Sequence, residues 1–350
     1  MGLPSIDISF KKLGKTVVPR SSRGIVAMIL KDTAHSMFEI VDKTEIPSSL
    51  KEDNKKLIEE VLKGNDYAPK KIICYVLGAE GNVDDALTYF ESCEFNTICM
   101  PEADTEKAKI EAFVTKMKDI VKYRVCGVLF DKASNNYEIL NLTAKNIKLK
   151  GEAVGKESVV ARLVGLIEGT PLNKSITYAN LEYDEVEPLT KEQADSRIKA
   201  GEIIFVKEMG KVRVARGVTS MTTNDKDTQD AFKNLQTVKI TNLIHNDLRK
   251  VIIEKYIGKV PNNYDNKCIL ITEIKEYLDE LEKEQLIENI SYVGIDIAAQ
   301  TKWLKDNTNL DVANMTEDEI KAANTGTNVF LGISLNIVNA MEDVFINLEI

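Results

Sequence analysis

Histidine is nearly missing from this 350-residue chain, which holds only His35 and His245. Its five cysteines, Cys74, Cys93, Cys99, Cys126 and Cys268, are odd in number and form no CxxC pair. That inventory excludes the recognisable zinc spacings and a disulfide framework, and predicts reduced, mostly buried thiols. Basic charge is in deficit too: 46 Lys and Arg face 55 Asp and Glu, a net charge of −9. A general binder of nucleic-acid backbone needs a concentrated basic face, so no nucleic-acid partner is expected. Long apolar runs are absent. The longest uncharged stretch, 322–341, is broken by Asn324, Thr325, Thr327, Asn328, Ser334, Asn336 and Asn339, which argues against membrane insertion. The opening residues 1–7 show no basic and apolar leader, and Ile6 stands where a myristoylation signal wants Ser or Thr. The expectation is a soluble protein made in the cytoplasm without a signal peptide.

The loops that hold phosphates are missing as well. Gly14-Lys15-Thr16 imitates the end of a P-loop, but Ser9 occupies the place of its first glycine. Gly78-Ala79-Glu80-Gly81 lacks the three-glycine spacing of a dinucleotide turn, and Glu80 would face the pyrophosphate. There is no GxSxG, no HExxH, and Asp225-Lys226-Asp227 lacks the rest of an EF-hand loop. No catalytic residue, cofactor or metal site is assigned on these grounds. A cytoplasmic α/β enzyme with no recognisable motif remains the alternative reading. His35 reads as a surface residue of a loop or strand, His245 as a polar position beside a helix's apolar stripe, and Trp303 as a packing anchor.

What is present is 43% hydrophobic and 29% charged residues, the balance of a globular chain long enough for two packed domains. Residues 70–167 alternate short apolar runs with amphipathic stretches, the pattern of βαβ units around a parallel sheet. Residues 72–77 and 95–100 and 124–130 read as strands. Asn82 caps a predicted helix through Phe90, and Asp84 and Asp85 suit its first turn. Ile110, Phe113, Val114, Met117, Ile120 and Val121 form one helical stripe. A helix over 158–167 stops at Gly169-Thr170-Pro171. Beyond residue 235 longer helices are expected, one lined by Ile240, Leu243, Ile244, Leu248, Val251, Ile252 and Tyr256, and another over 273–288 with a solvated charged face. Both ends alternate like strands: Ile6, Ile8 and Phe10 at the start, and Val344, Ile346, Leu348 and Ile350 at the close. Periodicity alone favours edge strands on the chain's own sheet. Donation to a neighbouring subunit is the sharper alternative.

Several segments resemble the tail sheath proteins of contractile phages and of R-type phage-tail-like bacteriocins. The opening 2–10 with Arg20-Ser21-Ser22-Arg23-Gly24-Ile25-Val26-Ala27 is similar to the family's N-terminal arm and entry to the body. Gly169-Thr170-Pro171-Leu172-Asn173-Lys174-Ser175-Ile176-Thr177-Tyr178 resembles its Gly-Thr-Pro-Leu-Asn segment. Gly217-Val218-Thr219-Ser220-Met221-Thr222-Thr223 looks like its Ile-Asn-Ser-Leu-Thr-Thr segment, with Gly217 and Val218 as departures. Tyr256-Ile257-Gly258-Lys259-Val260 and Asn339-Ala340-Met341-Glu342-Asp343 are similar to C-terminal landmarks, all in family order.

The resemblance implies an α/β fold with a central parallel sheet of subtilisin-like topology, carrying no triad, plus a C-terminal α+β domain. The implied division is an arm over 1–22, a short segment over 23–68, the central domain over 69–235, the C-terminal domain over 236–330 and a strand arm over 331–350. It implies a structural subunit, not an enzyme, that polymerises as stacked hexameric rings around an inner tail tube protein and contracts to drive the tube through a cell envelope. Baseplate and tail terminator proteins would be further partners, and the product would sit in a virion tail or a released bacteriocin particle. Both arms, through Ile6, Ile8 and Phe10 and through Val344, Ile346, Leu348 and Ile350, would join a sheet shared with neighbours, which reverses the preference from periodicity. Gly14, Pro19 and Gly24, and Gly326 and Gly332, are the expected hinges. Lys302 and Lys305 beside Trp303 are a candidate basic contact for an acidic tube.

Overall fold

The computed structural model describes residues 23–223 and 230–349. The chain enters through β1 (Ile25–Lys31) and β2 (Ser36–Ile40), then α1 (Glu52–Leu62), β3 (Lys71–Leu77), α2 (Val83–Phe90), β4 (Thr97–Cys99), α3 (Lys107–Lys116), β5 (Cys126–Phe130) and β6 (Ile139–Leu142). A hairpin, β7 (Lys148–Leu149) and β8 (Glu152–Ala153), leads to α4 (Lys156–Glu168), β9 (Asn180–Leu181), α5 (Lys191–Lys199), β10 (Glu202–Ile203), β11 (Phe205–Glu208) and β12 (Lys211–Val214). The remaining chain forms α6 (Leu235–Lys255), α7 (Tyr264–Lys283), β13 (Ile287–Ile295), α8 (Ile297–Asn307), α9 (Glu317–Ala322) and β14 (Leu331–Ile337).

Seven strands make the main sheet in the order β10-β6-β5-β4-β1-β3-β2, parallel except for β2 at one edge. Alternate residues divide its two faces. Val26, Met28, Ile72, Cys74 and Val76 pack under α1 and α4, while Ala27, Ile29, Ile73, Tyr75 and Leu77 meet α2 and α3. A strand covered on both sides must be apolar throughout, which is why 72–77 reads as an unbroken run. Helices α1 and α4 touch at Gly165, where a Cβ would lie 2.2 Å from the Val61 carbonyl oxygen. The second half of the chain builds its own core from α6, α7, β13 and β14 around Ile240, Ile274, Leu278 and Leu286. A small cluster of Leu304, Val312 and Ile320 holds α8 and α9.

Several expectations need correction. β1 lies in the middle of the sheet, so the segment 23–68 supplies a central strand and not merely a lead-in. Ile120 leaves the stripe on α3, because the helix widens into a π-helical turn, Met117–Val121, that turns it to solvent, while Val121 still packs on the same core before Lys122 takes a left-handed conformation. Helix α7 starts at Tyr264, where Asn263 accepts a hydrogen bond from the Asn266 N–H, and stops at Lys283 ahead of left-handed Gln285. β14 pairs antiparallel with β13, so the first seven residues of the expected C-terminal arm belong to the chain's own sheet. Gly332 sits opposite Gly294 in that pairing and is no hinge. Gly24 is equally fixed: its N–H donates to the Glu168 carbonyl oxygen at 2.9 Å and its own carbonyl accepts from Lys70 at 2.8 Å. Gly14 and Pro19 lie outside the described residues.

One buried group stands apart from this packing. Glu138, just before β6, is fully buried, and neither carboxylate oxygen has a hydrogen-bond partner among the described residues. Burial pushes its carboxyl up from 4.5 to about 7, against the pull of Lys118 and Arg124, with Asp119 reinforcing the rise. The fold therefore keeps a proton that the unfolded chain releases near pH 4.5. Stability from this group is complete below about pH 4.5, falls as pH rises to about 7, and is lost above it. The difference is on the order of 3 kcal/mol. Glu138→Gln should thus melt within a degree or two of the parent at pH 5 and several degrees above it at pH 8. Calorimetry across that range decides the matter, and an offset independent of pH would mean that the carboxylate is ionised and paired throughout.

Candidate assembly site

After β14 the chain leaves its sheet and crosses the body. The Val338 N–H donates to the Leu286 carbonyl at 3.0 Å, the Thr237 hydroxyl to Asn339 Oδ1 at 3.0 Å, and the Ala340 N–H to Gln236 Oε1 at 2.9 Å. Gln236 and Thr237 occupy the first turn of α6, whose cap is Asn234. Gln236 is itself fixed, because its Nε2 donates to the Leu172 carbonyl at 2.8 Å.

The crossing ends in a carboxylate clamp. Glu342 Oε1 accepts from the Ser175 and Thr177 hydroxyls at 2.6 and 2.7 Å, and Glu342 Oε2 lies 3.2 Å from Arg216 Nε. Arg216 Nη2 also donates to Asp343 Oδ2. Backbone amides hold the two hydroxyls in place: Gly217 N–H donates to Thr177 Oγ1 at 2.9 Å and Thr177 N–H to Ser175 Oγ at 3.0 Å. Ser175 and Thr177 follow the stop of α4 at Gly169, and Arg216 follows β12, so separate segments converge on one side chain. Hydrogen bonds to a charged group exceed neutral ones in strength, and Glu342 is largely shielded from water, which limits screening.

Beyond Asp343 the tail leaves the body. Val344, Phe345, Ile346 and Leu348 are 72%, 93%, 80% and 81% exposed, and residues 338–349 form no strand. The alternation of Val344, Ile346 and Leu348 therefore has no partner within the described chain, and the reading of an edge strand on its own sheet fails for them. Ile350, Ile6, Ile8 and Phe10 lie outside the described residues. Lys302 and Lys305 are exposed on α8 and make no ion pair among the described residues, while Trp303 packs against Phe330 with ring centres 6.2 Å apart.

The remaining polar groups serve packing. Cys74, Cys99 and Cys126 are buried free thiols, and burial pushes Cys99 up to about 12. His35 Nδ1 lies 2.8 Å from the Val76 carbonyl oxygen. His245, half-buried beside Asn246, has its pKa lowered by burial. Among the described residues no group of three or more His, Cys, Asp or Glu is placed to hold a metal, and no helix is long and apolar enough to cross a membrane. Arg216, Gln236 and Glu342 had no signal in periodicity or motif spacing. Only the family-like segments around Ser175 and at 339–343 marked the neighbourhood.

Comparison with known proteins agrees with those segments. Residues 78–220 match the phage tail sheath protein central domain, and residues 227–350 the phage tail sheath C-terminal domain. The tail sheath protein of Clostridium phage phiCD119 is 40% identical over 357 aligned residues, 99% of each chain. A sheath tail protein from Listeria innocua superposes with a TM-score of 0.69 at 16% identity, over 81% of this chain and 91% of that one. The helical sheath of the anti-feeding prophage in its contracted state gives 0.65 at 13% identity, over 100% and 99%. The two structures support the fold, and the phage relative together with both domain matches supports the family. The chain belongs to the phage tail sheath protein family and is a structural subunit of a tail sheath, not an enzyme.

Proposed function

We propose that the subunit polymerises as stacked hexameric rings around an inner tail tube, held by strands exchanged between neighbours, and contracts to drive the tube through a target cell envelope. The observation that carries this reading is the exposed apolar tail, Val344 to Leu348, projecting from an anchored root. An acceptor is at hand. β13 and β14 form a two-stranded sheet with both outer edges unpaired among the described residues, and two strands alone are marginal in water. A neighbour's tail, and the N-terminal arm carrying Ile6, Ile8 and Phe10, would extend it, with main-chain hydrogen bonds giving affinity and alternate side chains filling pockets. A central domain of subtilisin-like topology and a C-terminal domain near the tube fit this arrangement, as do baseplate and terminator proteins at the two ends. Synthesis in the bacterial cytoplasm and incorporation into a virion tail or released particle complete the reading.

The magnitudes suit a polymer better than a tight dimer. Four or five main-chain hydrogen bonds contribute about 0.5 to 1.5 kcal/mol each. Three or four buried apolar side chains add roughly 1.5 to 3 kcal/mol each. Association costs about 4 to 15 kcal/mol, so one arm holds a neighbour weakly and a lattice of arms holds it well.

Removing residues 344–350 should leave a body with unchanged melting behaviour that no longer assembles. Purified parent protein should give hollow cylinders in negative stain, whereas the truncated chain should sediment as a single subunit. Cylinders of normal length from the truncated chain would rule out an intersubunit role for the tail. Charge reversal at both Lys302 and Lys305 should lower tube occupancy inside assembled sheaths several-fold, since weak exposed contacts of this kind are additive and screened. Unchanged occupancy in micrographs would remove the two lysines from the tube interface.

A further inference from the structure

We propose that Arg216, with Ser175 and Thr177, is the positioning device of the tail: by clamping Glu342 and Asp343 it adds residues 341–343 to the rigid body and confines the free tether to 344–350. The inference rests on the sheath reading and deepens it, because it assigns the point from which the donated strand leaves. Without the clamp the last tie would be at Ala340, whose N–H is held by Gln236 of α6. Ten residues would then swing where seven do now, with a reach of about 33 Å instead of about 23 Å at roughly 3.3 Å per residue. Effective concentration of a tethered strand at its acceptor falls as the −3/2 power of length or more steeply. That loss is about 1.7-fold, and ordering three further residues in the lattice increases it.

Geometry sets this contact apart from an ordinary surface ion pair. Glu342 is nine-tenths shielded, and both of its oxygens are engaged by groups from two separate segments of the body. Upstream, Gln236 and Thr237 hold Ala340 and Asn339, so the root is tied at three successive points, and the clamp is the last before the exposed tail. Met341 and Phe345 point to water on either side of it.

Hydrogen exchange on the purified subunit and the threshold concentration for assembly test the proposal together. Arg216→Ala and, touching only the tail, Glu342→Gln should leave the melting curve of the body in place, speed exchange several-fold at Ala340, whose amide is hydrogen-bonded just ahead of the clamp, and raise the assembly threshold at least about 1.7-fold. Arg216→Lys, which keeps the charge but not the fork, should recover part of the protection. Parental exchange at Ala340 in both variants would overturn the clamp, and so would faster exchange with a parental threshold. Failure of the parent protein to polymerise at all, with its tail root protected, would instead count against the sheath reading, which separates the two.

Discussion

Glu168 is the residue on which the two halves of the molecule meet. It ends α4, its carbonyl oxygen accepts the Gly24 N–H, and its buried carboxylate accepts from the Thr97 hydroxyl at 2.5 Å and from Lys239 Nζ at 3.0 Å. Lys239 also reaches the Ile167 carbonyl at 2.9 Å. One residue, through its carbonyl and its carboxylate, thus joins the N-terminal entry, a central strand and the first helix of the C-terminal half. Gly24 is obligatory there, since a Cβ would fall 1.6 Å from Glu168 Oε2. Burying two charges costs desolvation, so the pair is not by itself a source of stability, but losing one partner strands the other at a cost of about 3 to 5 kcal/mol. What the pair contributes is a single relative placement of sheet and α6. The tail clamp depends on that placement, because Gln236 and Thr237 lie on α6 and Ser175 follows α4.

Local signals were legible in the sequence wherever one segment determined its own conformation. Asn82 accepts from the Asp84 N–H and starts α2 at Val83, and the helix ends at Phe90 as its apolar stripe predicts. The apolar run at 72–77 is a strand because both its faces are covered. Failures fall where partners are distant. β1 is the hub of the sheet, with β3 on one side and β4 on the other, yet its own residues carry no sign of that order. β13 and β14 are drawn together across α8 and α9, and nothing local to Leu331–Ile337 names Ile287–Ile295 as its partner. The π-helical turn that exposes Ile120 breaks the 3.6-residue count on which the stripe was read. Buried charges were illegible for the same reason. Glu168, Lys239 and Glu342 look like any of the chain's many charged residues until the fold encloses them.

The tail is the informative case between these extremes. Its alternation was legible, but alternation states only that one face wants burial, not which molecule provides the cover. Among the described residues that cover is absent from Val344 to Leu348, whereas seven residues earlier, at Ile337, the same chain is paired with β13. An apolar segment that ordered packing carries to the edge of a body and then releases is what the proposed strand exchange requires.

Under the proposed function, that arrangement bears on motion within a lattice. A short tether with its root fixed to one body and its strand buried in another preserves the link while the bodies rotate and slide, so link energy cancels between two lattice states that both keep it. The balance between extended and compact states must then come from body surfaces, which gain contact only on close approach. Bodies of net charge −9 repel on that approach, over a distance that salt shortens to about 10 Å at 0.1 M. New contacts between bodies therefore have to exceed a screened repulsion before compaction is downhill. If the proposed tethers persist in both states, surfaces that must first be forced together suffice to give a polymer that assembles in one state and is held there by a barrier.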